Sequence, residues 1–243
     1  MEWFARDFDR EEYFDIYRGK EREAAEEGPA LAAALDLPPR SRVLDLPCGW
    51  GRLRPYLAAR GYRVLGGDLS ALNLRRHRLE NPGPLARLDL RALPFRDGCA
   101  DGVLCAYTSW GYFRTLEENL AQIREFARVL RPGGALVLDL VGRDCTARAV
   151  AFVEGRWYDV DEDGTRYRER VRWSPDRRRV VTDRACRGQR FRHDIWLPTD
   201  AEVRAALVGS GFELDRVWGG YLDEPWEALS ERWIYRAIRR ADG

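Results

Sequence analysis

The sequence predicts an α/β fold: a doubly wound, mostly parallel sheet of seven strands, with an antiparallel β subdomain inserted after the fifth strand and a helical cap before the first. Three observations carry that expectation. Over 42–60 a short apolar strand runs into a glycine-bearing turn and then a helix. Strand and helix patterns alternate to Gly142 and again from Thr199 to Ile238, the rhythm of parallel strands joined by crossover helices. Between these stretches, residues 143–198 switch to strands with turn chemistry between them, which reads as antiparallel pairing.

Composition narrows the class. A length of 243 residues suits one large domain or a domain carrying a subdomain. At 45% hydrophobic and 33% charged, the chain can build a core and keep its surface in water. No run approaches the ~20 apolar residues of a membrane span. Met1-Glu2-Trp3-Phe4-Ala5-Arg6-Asp7 lacks a signal-peptide pattern, so a cytoplasmic protein is expected, with no membrane partner. A net charge of +1 provides no global field for nucleic acid, which is not expected as a partner. Five scattered cysteines without a C-x-x-C pair, and only His77 and His193, argue against a disulfide framework or a metal centre.

Taken in order, residues 1–40 carry Trp3, Phe4, Phe8, Tyr13, Phe14, Ile16 and Tyr17, too many apolar side chains for a disordered tail. Helical patterns at 11–18 and 20–35 read as a helix pair packed on the core or, functionally, as a cap over a ligand. The first strand, Val43-Leu44, stops at Asp45. Pro47, Gly49 and Gly51 form the turn, and a helix continues through Leu53 and Leu57 to Arg60, closed by Gly61. Such a junction presents backbone N–H groups to a polar ligand. Gly49 permits a left-handed backbone, and Gly51 a close approach. A dinucleotide fingerprint would need a third glycine where Arg54 stands. Asp45 would repel a pyrophosphate and suits an ammonium or sulfonium.

The second strand, 62–67, ends at Asp68-Leu69-Ser70, and Ser70 can cap a helix over 71–79. An acid about twenty residues beyond the glycine turn is where a carboxylate accepts hydrogen bonds from ribose hydroxyls. The third strand leads to Asp89 and Leu90, and the fourth, 99–107, ends at Ala106-Tyr107. Thr115 and Glu118 spell a capping box for a helix to Val129. Arg131-Pro132-Gly133-Gly134 ends that helix, and 135–140 is an apolar fifth strand. In the insert, strands are expected at 152–160, 165–173, 178–186 and 190–197. Along 165–173, Arg166, Arg168, Arg170 and Arg172 share one face, read as solvated, with a binding surface as the alternative. A second capping box, Thr199 with Glu202, opens a helix to Val208, and strands at 212–218 and 231–238 complete the sheet.

The run Asp45-Leu46-Pro47-Cys48-Gly49-Trp50-Gly51, the acids Asp68 and Asp89, and the helix–Leu-Arg-Pro-Gly-Gly–strand passage resemble the class I S-adenosylmethionine (SAM) methyltransferases. The likeness covers about 41–142 and 199–238. Pro47 replaces the first motif glycine, as in one bacterial branch. The resemblance implies a Rossmann-like methyltransferase fold in 41–142 and 199–243, with SAM as cofactor. It places Asp45, Pro47, Cys48, Gly49 and Gly51 at the motif turn, Asp68 and Leu69 at the ribose, and Asp89 and Leu90 at the adenine. Ala106 would meet the methionine part. Apart from the resemblance, a capping N-terminal segment would bring Tyr17 near the sulfonium, a contact favourable by ~0.5–2 kcal/mol.

In that family, insertions like 143–198 cover the active site. Tyr107, Trp110 and Tyr112 stand where an acceptor should sit, as pocket walls or as core. His193 shares a strand face with Phe191 and Ile195, as a base or as a packed histidine. The activity implied is methyl transfer to a small-molecule O or N acceptor by in-line displacement, which needs positioning and exclusion of water above all. A SAM-binding protein without turnover and a nicotinamide-dependent oxidoreductase are the alternatives, the latter opposed by Arg54 and Asp45. A homo-oligomer formed through the inserted sheet is compatible with this reading.

Overall fold

A computed structural model describes residues 2–17, 19–162 and 164–241. Met1, Arg18, Asp163, Asp242 and Gly243 lie outside the described residues. With them go the last position of the helix expected over 11–18, one position of the turn at 161–164 and the end of the 199–243 segment.

Three helices come first: α1 (Trp3–Asp7), α2 (Glu11–Tyr17) and α3 (Lys20–Ala34). The main domain then alternates β1 (Arg42–Asp45), α4 (Arg54–Ala59), β2 (Arg63–Asp68), α5 (Ala71–Glu80), β3 (Leu85–Arg87), β4 (Ala100–Cys105), α6 (Leu116–Val129) and β5 (Leu130–Val141). The insert holds α7 (Arg143–Val153), β6 (Trp157–Glu162), β7 (Thr165–Trp173), β8 (Arg179–Cys186) and β9 (Gln189–Trp196). The chain returns through α8 (Asp200–Gly209), β10 (Phe212–Trp218) and β11 (Arg232–Arg239).

The main sheet has the order β10-β11-β5-β4-β1-β2-β3. Strands β1 to β5 pair in parallel, and β11 runs antiparallel to both β5 and β10. Strand order reverses between β1 and β4, and ligands bind outside the carboxyl ends of strands at such a point. Asp45 and Asp68 are the last residues of β1 and β2, so the topology alone brings both carboxyls there. Ala135 to Leu140 of β5 are all buried, as a strand covered by helices on both faces must be. Thr115 with Glu118, and Thr199 with Glu202, both close as full capping boxes. Ser70 caps α5 by accepting from the Asn73 N–H.

The second sheet, β6-β7-β8-β9, is wholly antiparallel. One expectation fails here: 152–160 is not a single strand, because Phe152 and Val153 end α7. Ala147 and Val150 pack that helix against Val171, Trp173 and Leu197. Gly155, at φ 75°, then lets the chain turn into β6. The arginine face of β7 is an ion-paired, solvated face. Arg166 pairs with Asp161, Arg168 with Asp159, and Arg170 and Arg172 with Asp183. Cross-strand pairs of this kind contribute roughly 0.2–1 kcal/mol each.

The N-terminal helices join the two sheets. Trp3 Nε1 donates to the Asp194 carbonyl, and the buried Asp7 accepts from the Arg192 N–H at 2.8 Å. Tyr13 and Ile16 share an apolar cluster with Tyr167, Cys186 and Phe191. Helix α1 has no counterpart among the sequence expectations, since five residues are too few to show a period. No helix among the described residues is long and apolar enough to cross a membrane.

Candidate active site

A single cavity gathers residues from the ends of β1, β2 and β4, from α2 and from β9. Of the residues singled out by sequence, Tyr17, Asp45, Pro47, Cys48, Gly49, Asp68, Leu69, Asp89, Leu90, Ala106, Tyr107, Tyr112 and His193 line it. Gly51 and Trp110 do not.

Asp45 is 2% exposed, and its Oδ2 is buried without a hydrogen-bond partner. Burial, reinforced by the neighbouring Asp68 and opposed by Arg52 and Arg54, pushes its pKa up to about 7. A buried carboxylate left in that state is costly and calls for a cation or a donor. Asp68 differs, because its oxygens already accept from the N–H groups of Gly49 and Ser70, each at 2.8 Å. Burial still raises its pKa to about 6 against the pull of those bonds. Each oxygen keeps a second lone pair free to accept from a ligand hydroxyl. Gly49 sits at φ 53°, and a Cβ there would meet nothing within 4 Å, so the turn is open beside these acids. Asp89 is tied to Arg91 at 2.6 Å. Burial alone would raise its pKa, but the hydrogen bonds from the Arg91 side chain and backbone outweigh burial and hold it below the ordinary value.

Gly51 has a structural reason instead of the expected close approach to a ligand. At φ 88°, a Cβ would stand 2.4 Å from Cδ2 of the buried His77, so the α5 side chain packs directly on it. Gly51→Ala combines an unfavourable left-handed backbone with overpacking. It should lower stability by about 2 kcal/mol or more, read as a lower urea midpoint.

Trp110 is likewise corrected from pocket wall to core. It is fully buried, donates from Nε1 to the Asn119 carbonyl at 2.8 Å and meets Trp196 edge-on at 5.1 Å. The cause lies one turn earlier, where Tyr107 and Thr108 both hold positive φ, 58° and 59°. The Tyr107 N–H donates to Asp139 Oδ2 at 2.8 Å and the Thr108 N–H to the Asp139 carbonyl at 2.9 Å. With the chain turned this way, Tyr107 and Tyr112 reach the cavity and Trp110 points inward.

At the β9 end, His193 is 8% exposed and faces α2. Its Nε2 bonds the Tyr13 hydroxyl, and the Tyr17 hydroxyl lies 3.4 Å from the same atom. Arg184 donates from Nη1 to the Tyr17 hydroxyl at 2.6 Å and stands 3.3 Å from His193 Nδ1. Burial, then the Arg184 charge, hold the imidazole pKa well below its ordinary value, so the ring is neutral.

Sequence reasoning missed Tyr13 and Arg52, both of which line the cavity. Tyr13 stands four residues before Tyr17 on one helix, a spacing that puts both on one face and was a usable signal. Arg52 offered none, since tertiary stacking places it. Its guanidinium lies 4.6 Å from the Trp50 ring and 4.2 Å from the Tyr107 ring, with Nη1 donating to the Lys20 carbonyl. Among the described residues, no group of three or more His, Cys, Asp or Glu side chains could hold a metal ion.

Comparison with known proteins agrees with this geometry. Residues 44–138 match the family model described as a methyltransferase domain. A cypemycin N-terminal methyltransferase from Streptomyces sp is 30% identical over 205 residues, covering 79% of this chain and 80% of that protein. A ubiquinone biosynthesis O-methyltransferase from Xanthomonas oryzae is 30% identical over 198 residues, covering 81% of this chain and 72% of that one. Among solved structures, a SAM-bound amino pentose methyltransferase from Micromonospora echinaspora is 25% identical, with a TM-score of 0.65 over 93% of this chain and 96% of its own. With a parallel sheet switching order at β1 and β4 and three acids ranged along its carboxyl edge, the chain belongs to the class I SAM-dependent methyltransferases.

Proposed function

We propose that this protein transfers the methyl group of SAM to a small-molecule oxygen or nitrogen acceptor held in the same cavity. The observation that carries the reading is Asp45 Oδ2, a buried carboxylate oxygen with no partner, beside an open glycine turn and a second strand-end acid. That combination fits a ligand with an ammonium and vicinal hydroxyls. Asp45 would hold the ammonium, and Asp68 the ribose hydroxyls through its free lone pairs. Leu88 and Leu90 would flank the adenine, with Asp89 accepting from its amino group. Pro47, Cys48 and Gly49 would form the floor of the turn, with Leu69 and Ala106 along its sides. Arg52 has donors to spare and would meet the carboxylate of the amino-acid part.

When bound, SAM supplies a methyl group on a positive sulfur that needs no further activation. The work left to this chain is to align the acceptor and keep water out. Phe8, Tyr13, Tyr17 and Tyr112 would roof the site, with residues 1–40 as cap and 143–198 as lid. His193 would bond the acceptor rather than store its proton, because a buried imidazole beside a guanidinium is a weak base.

Calorimetric titration with SAM and with its demethylated product is the direct test, and no binding of either at millimolar concentration would refute the reading. Arg52→Ala should weaken SAM roughly tenfold or more and leave 5′-methylthioadenosine, which lacks the amino-acid part, unchanged. Equal losses for both ligands would remove Arg52 from the carboxylate role.

A further inference from the structure

The charges around the cavity are unevenly distributed. The carboxylates that line it are Asp45, Asp68 and Asp89, all on the side of the motif turn and the strand ends. The side formed by α2, β9 and the 108–113 loop carries Tyr13, Tyr17, Tyr112, His193 and Ile195, with Arg10 as a lining cation. Behind that wall, Arg184 stands between Glu169 and the imidazole, bonded to Glu169 at 2.6 Å and 3.3 Å from His193 Nδ1. Glu169 also accepts from the Tyr158 hydroxyl at 2.5 Å and does not reach the cavity. The ion pair therefore turns its positive end toward the site. On α1, the nearest acid, Asp7, is committed to Arg6 and to the Arg192 N–H.

We infer that the acceptor is a hydroxylated aromatic ring, uncharged or anionic at neutral pH, and not a basic amine. The inference rests on SAM occupying the Asp45 side. An aromatic wall alone would attract a cation. Here, however, an ammonium would enter between the Arg184 charge and the sulfonium, in a low-dielectric space where, among the described residues, no cavity-lining carboxylate stands on that side to pair with it. A phenol enters uncharged and stacks on the same rings. The hydroxyls of Tyr13 and Tyr17 and the His193 ring lie within one hydrogen-bonded group that can meet its oxygen. The Arg184 charge offsets part of the burial that pushes phenol pKa values up along this wall, as it does at Tyr13. In the transfer, a lone pair of the acceptor oxygen forms the new C–O bond. The methyl C–S bond breaks with its pair returning to sulfur, leaving a neutral thioether, and the hydroxyl proton goes to solvent.

The test uses the purified protein, SAM carrying a labelled methyl group, and two probe sets: catechol and 4-hydroxybenzoate against benzylamine and phenethylamine. Label is expected in a methyl ether of at least one hydroxylated ring, at ten times or more the rate for either amine. Faster transfer to an amine, or no transfer to either hydroxylated ring while calorimetry shows SAM bound, overturns this inference and leaves the cofactor reading standing. Failure to bind SAM overturns both. Arg184→Gln should shift the hydroxyl-to-amine ratio at least tenfold toward the amine, while Arg184→Lys, which keeps the charge, should hold it. An unchanged ratio in Arg184→Gln refutes the electrostatic argument.

Discussion

Asp45→Asn is expected to weaken SAM binding roughly tenfold to a hundredfold while making the free protein more stable at pH 8. The two effects share one cause. The Asp45 carboxyl is buried, its Oδ2 has no partner, and its pKa stands near 7 against an ordinary 3.8. Holding it ionised in the free protein at pH 8 costs on the order of 4 kcal/mol. An asparagine removes the charge and leaves at most one unsatisfied amide, at about 1–3 kcal/mol, so a net gain of about 2 kcal/mol is expected. In the proposed complex the carboxylate would meet the ammonium, and the amide would forfeit that charge-assisted bond of about 1.5–3 kcal/mol.

Linkage fixes the direction with pH. The folded state holds the Asp45 proton more tightly than the unfolded chain does. Stability of the free protein should therefore fall as pH rises from about 4 to about 7 and level off above. Affinity for the cationic ligand should rise through the same upper range. Asp68, near 6, titrates alongside, so the two carboxyls act as a coupled pair. Calorimetry at pH 6 in buffers of different ionisation enthalpy should record proton release on SAM binding, reduced in Asp45→Asn. A variant that binds SAM normally, or is less stable at pH 8, would sink this account.

Asp139→Asn should be the most destabilising single change near the site, at about 3–5 kcal/mol. Asp139 is fully buried and accepts from Arg232, with Nη2 at 2.5 Å and Nε at 2.9 Å. Neutralising it leaves the half-buried guanidinium without the carboxylate bonded to it. The same carboxylate anchors the Tyr107 N–H, and so the two consecutive positive-φ residues, each strained by about 1–3 kcal/mol. Arg232→Met in the Asp139→Asn background should restore much of the stability, since it removes the orphaned charge. It should not restore SAM affinity, because the anchor for Tyr107, and with it the stacked Arg52, stays weakened. Chemical denaturation and calorimetry on the two variants separate these outcomes. Full recovery of both properties in the double variant would show that Asp139 serves the ion pair alone.

Most of what was legible in the sequence is local. Strand-end acids, capping boxes and the glycine turn are set by hydrogen-bonding needs within a few residues. Asp45, Asp68 and Asp89 were therefore identifiable before any tertiary contact was known, and the parallel topology alone carries the first two to the switch point. The β7 alternation survived because a period of two marks which face is buried. Trp110 and Tyr112 show the limit. Both are aromatic, two positions apart in one loop, and nothing in their spacing says that one fills the core and the other the cavity. That division follows from the Tyr107–Thr108 backbone, which Asp139 holds from another strand.

The sequence by itself determined the α/β rhythm, the order of the elements from β1 onward outside the insert and the acid-bearing side of the cavity, because each rests on periodicity or on a residue's place at a strand end. The tertiary structure alone decided the aromatic side. Tyr13 meets His193 across 180 positions, Trp3 meets the Asp194 backbone across 191, and Arg184 joins Tyr17 across 167. Likewise α7, the packing of Gly51 under His77 and the stacking of Arg52 follow from what the fold brings alongside. Local patterns report which face of an element is buried, and the partner on that face exists only once distant segments have docked.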